Sequence, residues 1–119
     1  MIRRVALLVV IACLTAPLIA QDHVTFEALT VADASTRITA TVIRPSGRPP
    51  QIECLGRLET AQIRYRYDGT APTSTVGSLW EVGEEKVISG AAYLEAFRAI
   101  RTGGTSGTLV LHCYARATR

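Results

Sequence analysis

The chain has 119 residues, 13 of them basic and 10 acidic, for a formal charge of +3. That length holds one domain with a modest core and leaves no room for a second. Three cysteines and two histidines, without a Cys-x-x-Cys spacing, provide no zinc framework.

Residues 1–20 open with Arg3 and Arg4, continue through the apolar run 5–14, and end in a less regular stretch closing on Ala20. This is the layout of a secretory signal peptide, expected as a helix that is cleaved after Ala20 to leave one domain over residues 21–119. Leu18 and Ala20 occupy the two positions a signal peptidase reads, and cleavage after Ala16 is the alternative bond. Two other readings stay open. Val10-Ile11-Ala12-Cys13 resembles a bacterial lipoprotein box, which would lipidate Cys13 and tether the protein to a membrane. The other is an uncleaved anchor, although residues 5–20 fall short of the roughly 20 that span a bilayer and Pro17 interrupts them.

Removing residues 1–20 changes what remains. Without Arg3 and Arg4, 11 basic residues face 10 acidic ones and the charge falls to +1. A near-neutral domain lacks the basic patch of a nucleic-acid binder, so nucleic acid is not an expected partner. Cys13 leaves too, and Cys54 and Cys113 remain as an even pair in a compartment that permits disulfides. Either they bridge, contributing about 4 kcal/mol on a chain-entropy argument, or they are two separate buried thiols. A bridge requires their strands to be neighbours or to face each other across a sandwich.

The dominant hydrophobic period of residues 21–119 is two. Val24, Phe26 and Ala28 alternate with polar residues, then Leu29 and Val31 continue on the opposite parity, which suggests a bulge or bend. Ile38, Ala40 and Val42 alternate with Arg37, Thr39 and Thr41 as a half-buried strand. Residues 45–50, with three prolines and a glycine, form a stiff loop. Ile52, Cys54 and Leu58 lie along the next strand, which Gly56 weakens. Ile63, Tyr65 and Tyr67 share one face of a further strand, with Gln62, Arg64 and Arg66 on the other, and Asp68-Gly69 turns the chain. Residues 79–82 and 86–88 read as short strands around Gly83. Residues 90–96 make a helical turn or two, residues 97–101 return to strand, and residues 108–115 form the last one. Seven or eight short strands between turns predict an all-β fold, a small antiparallel β-sandwich or partly open barrel.

One stretch is similar to a known group. Ile63-Arg-Tyr-Arg-Tyr-Asp-Gly-Thr-Ala-Pro-Thr73, Val76-Gly77, Phe97-Arg-Ala-Ile-Arg101 and Thr105-Ser-Gly-Thr-Leu109 resemble small uncharacterised β-sandwich proteins of tailed bacteriophages and prophages. The resemblance covers about residues 30–116. It implies a virion-type structural role and carries no catalytic residue. Phage virion proteins assemble in the cytoplasm and need no signal peptide. The combination therefore implies either a bacterial relative recruited for export, periplasmic or secreted, or a virion protein whose start codon lies downstream of Met1.

Candidate binding residues are few. Arg64 and Arg66, with Arg98 and Arg101, form a positive patch if their strands are close, suited to an anionic glycan, a lipid headgroup or an acidic surface. The alternative is a solvated face with Arg64 or Arg66 paired to Asp68 or Glu59. Tyr65 and Tyr67 share the parity of Ile63 and read as core. Trp80, beside a loop, is the aromatic expected to be exposed and functional. His112 and Cys113 are adjacent on a strand and point to opposite faces, so they cannot act as a nucleophilic pair. No catalytic residue, metal site or cofactor is expected. The sequence thus predicts a non-enzymatic structural or interaction protein, with a protein partner or self-association. The alternative is a ligand-binding module, for carbohydrate, using Trp80 and the arginines.

Overall fold

The computed structural model describes residues 24–115, and the expected signal segment, Cys13 and the cleavage bond lie outside them. Over the described residues the fold is an all-β sandwich of seven strands with two short helices. Strand β1 covers Val24–Val31, β2 Glu53–Glu59, β5 Glu85–Ser89 and β7 Gly107–Tyr114; they form an antiparallel sheet in the order β1-β7-β2-β5. Strands β3, Ile63–Arg66, β4, Ser78–Trp80, and β6, Arg98–Arg101, form the second sheet in the order β4-β3-β6. Helix α1 is Ala40–Ile43 and α2 is Ala91–Ala96.

Alternation places the core. On β7, Leu109, Leu111 and Cys113 are buried while His112 is exposed. Cys54, Leu58, Ile88, Leu29 and Val31 complete the inner face of the four-stranded sheet, and Ile63, Tyr65, Ala99 and Trp80 meet them from the other. Phe97, Ile38, Ile43 and Leu94 close the open sides of this layer.

Cys54 and Cys113 form the bridge that was one of two possibilities. They are direct partners in the β2–β7 register, so the bridge joins neighbouring strands at the centre of the sheet. Their loop is long, with a sequence separation of 59, and that length sets the entropy the bridge removes from the unfolded chain.

Three local expectations are corrected. First, β1 carries no bulge: its eight residues pair one for one with β7, from Val24 with Tyr114 to Val31 with Gly107. Leu29 and Val31 face the core, and Val24, Phe26 and Ala28 face out. Second, residues 37–42 are not a strand. Glu27 on β1 accepts hydrogen bonds from both the backbone N–H and the hydroxyl of Thr39, and the chain turns there into α1. Thr25 donates to the carbonyl of Val42 (2.8 Å), pinning the same turn. Ile38 and Ile43 are both buried, which a strand of period two would not allow because it would put them on opposite faces; the turn at Thr39 into α1 lets both reach the core. Third, Trp80 is 0% exposed, a core residue whose Nε1 donates to the carbonyl of Glu84 (2.9 Å).

Gly56 explains how Trp80 fits. A Cβ on Gly56 would lie 2.6 Å from Cη2 of the indole and 3.2 Å from Leu111. The ring therefore rests on bare backbone of the facing sheet. Gly56→Ala forces the ring or the sheet spacing to move, and overpacking of this kind costs about 1–3 kcal/mol. A lowered midpoint in chemical denaturation, with an unchanged slope, is the expected outcome.

Candidate functional site

The outer face of the smaller sheet holds most of the expected arginines. Register places Arg66 opposite Arg98 and Arg64 opposite Ile100, so Arg64, Arg66 and Arg98 do share one surface. Arg101 does not. It lies opposite Ile63, on the core-facing parity, and its side chain reaches Ser106 at 3.5 Å. Residues three apart on a strand face opposite ways, which separates Arg98 from Arg101.

Each of the three arginines that share the surface is engaged within the chain. Arg64 donates to the carbonyls of Ser74 (3.0 Å) and Gly77 (2.7 Å), holding the long loop against the sheet. Arg98 donates to the carbonyls of Glu95 (2.9 Å) and Phe97 (2.8 Å) at the end of α2. Arg66 forms a two-pronged pair with Asp68. Hydrogen bonds from Arg66 and from the backbone N–H of Thr70 hold the Asp68 carboxyl below its ordinary range. These cations fasten loops and turns, and a bound anion would have to compete with those contacts.

An aromatic cleft lies where β3 ends beside α2. Tyr67 meets the exposed Tyr93 edge-on at 5.9 Å between centroids, and Tyr65 at 5.1 Å. Val87 and Ser89 border it on one side, Arg66 and Asp68 on the other. Partial burial, reinforced by neighbouring Tyr65, lifts the Tyr67 phenol well above its ordinary value.

The third surface was not among the expected sites. The outer face of the four-stranded sheet carries a largely apolar row running from edge to edge: Phe26 pairs with His112, His112 with Leu55, and Leu55 with Val87. Phe26 is 58% exposed, Val87 54% and Leu55 40%. Phe26 also lies against the His112 imidazole at 5.1 Å. Val24 and Ala28 extend the apolar surface along β1, and Val110 along β7. Arg57 and Glu85 form an ion pair at its border (3.5 Å). The signal for this face was present in the sequence, as apolar residues on both parities of β1.

Among the described residues no group of three or more His, Cys, Asp or Glu is placed to hold a metal ion. His112 and Cys113 point to opposite faces, with Cys113 held in the bridge.

The Tyr67 phenol makes a testable marker of the cleft. Its folded-state value is raised, so its contribution to stability is intact below the ordinary tyrosine value of about 10 and is lost as pH rises above it. Denaturation midpoints measured from about pH 9 to about pH 12 should fall. In Tyr67→Phe that fall should be shallower, whereas an identical slope would place the alkaline sensitivity elsewhere.

Comparisons with protein-family models, with curated proteins and with solved structures each find no match to this chain.

Proposed function

We propose that this is a non-enzymatic structural or interaction protein, akin to the phage virion components its central stretch resembles, which works by burying the outer face of its four-stranded sheet against another protein surface. The row across all four strands, apolar at Phe26, Leu55 and Val87 with the His112 imidazole between them, is the observation that carries this reading. Single exposed apolar residues are ordinary on a soluble domain, but a contiguous row rimmed by charges marks a contact surface. The reading includes export. A disulfide at the centre of the sheet suits a chain that matures outside the reducing cytoplasm.

Site-specific photo-cross-linking separates the two outer faces. A cross-linker at position 87 samples the apolar face, and one at position 79 samples the outside of the smaller sheet, where Leu79 is also exposed. Used in the cells or particles that contain the protein, position 87 should give discrete protein adducts and position 79 none. Adducts from position 79 alone, or from neither, would end the reading.

The second reading, a carbohydrate-binding module, is supported by a different residue from the one expected. Trp80 is buried and cannot stack on a sugar. Tyr93, 56% exposed beside Tyr67 and the Arg66–Asp68 pair, offers the ring face and polar groups such a site needs. A glycan that binds the wild-type protein and loses at least about tenfold in affinity, roughly 1.4 kcal/mol, with Tyr93→Ala would carry this reading. Silence across a broad panel would dispose of it.

A further inference from the structure

We infer that the apolar face takes a second copy of this chain, related by a two-fold axis lying along the row of Phe26, His112, Leu55 and Val87. This rests on the reading of that face as a contact surface and names its occupant.

The argument comes from the register. One row toward the Val24 end of β1, the outward residues are Val24, Tyr114, Glu53 and Ser89, in strand order. One row the other way they are Ala28, Val110, Arg57 and Glu85. A two-fold rotation about the central row lays each of these rows on the other. Val24 then meets Ala28 of the second copy, Tyr114 meets Val110, and Glu53 meets Arg57. Val24 falls on Ala28 along β1, the Tyr114 ring, whose hydroxyl donates to Glu53, falls on Val110 along β7, opposite charges fall on each other along β2, Ser89 falls on Glu85 along β5, and each pair occurs twice, as a two-fold interface requires. Residues on the axis meet their own counterparts, so Phe26, Leu55 and Val87 give apolar pairs and His112 an imidazole pair.

The alternative axis, along the strands, fails this test. It would set Ala28 over Glu85 and Val110 over Arg57, leaving charges against apolar groups. Packed sheets cross at about 30°, which moves the flanking rows, about 7 Å from the axis, sideways by about 3.5 Å; the long side chains of Glu53 and Arg57 span that offset, and the apolar residues of β1 and β7 become diagonal neighbours.

The size of the face sets the strength. Strands of eight, eight, seven and five residues, spaced by about 4.8 Å, give a footprint of roughly 450 Å² per copy. Roughly 1,000 Å² in total is the lower limit of a specific interface, so the dimer is weak and depends on concentration.

Sedimentation velocity on the full exported protein, from about 1 μM to about 1 mM, is the test. The wild type should pass from monomer to dimer across that range. Leu55→Glu, which places two carboxylates on the axis, should stay monomeric with an unchanged thermal midpoint. The charge reversals give a second, independent arm. Glu53→Arg alone sets arginine against arginine, and Arg57→Glu alone sets glutamate against glutamate, so each should weaken the dimer at least tenfold. An equimolar mixture restores both opposite-charge pairs and should form the heterodimer. The inference is overturned by a monomer at every concentration, by a dimer that Leu55→Glu leaves intact, or by a mixture no better than its components. A monomer whose photo-cross-links at position 87 still reach another protein would remove the second copy and leave the contact surface standing.

Discussion

The indole of Trp80 lies on the uncovered backbone of Gly56, and the spacing of the two sheets follows from that contact. Trp80 ends β4 in the smaller sheet, and Gly56 sits in the middle of β2 in the larger one. Any side chain on Gly56 would separate them. With the ring in place, Tyr65 packs edge-on against it at 5.5 Å, and Phe97 stacks on Tyr65 at 6.0 Å. Lys86 at the edge of β5 lies over the ring at 5.9 Å, covering it from solvent with its stem. Two strands from different sheets are thus held by one large residue and one absent side chain.

The disulfide acts on the same strand. Cys54, two residues before Gly56 on the same face of β2, is tied to Cys113 on β7, so the centre of the larger sheet is fixed covalently while its outer face stays apolar and open. A face intended only for solvent would carry polar residues on its outward positions, as antiparallel sheets with one covered face commonly do. Here His112 is the one polar member of the central row, and the charged outward residues lie in the rows beside it. In the proposed contact, the central row would supply the apolar area and the flanking charges the orientation.

Much of the fold was legible in residue order. The alternation of Ile63, Arg64, Tyr65 and Arg66 marked β3 and its buried face, the opposed directions of His112 and Cys113 followed from strand geometry alone, and residues 90–96 announced the one helix expected within residues 21–119. The failures have physical causes. Ile38, Ala40 and Val42 alternate as a strand would, yet the Glu27 carboxylate reaches Thr39 from a distant strand and favours a turn of helix. Trp80 looked exposed because its neighbours are loop-like, and the glycine that makes room for it is 24 positions earlier in the chain. Parity alone separates Arg98 from Arg101, which a shared patch would need on one face of β6.

The sequence by itself determined that this is a small all-β domain, which strand faces are apolar, and that two cysteines remain once residues 1–20 are set aside. Those properties are local, because side-chain alternation and turn chemistry depend on near neighbours. Only the tertiary structure decided that Cys54 and Cys113 pair, that Trp80 is interior, and that Phe26, Leu55 and Val87 fall in one row. Each of these depends on which strand lies beside which. Residues 26, 112, 55 and 87 belong to four strands scattered through the chain, and nothing but hydrogen-bond register brings them onto one line.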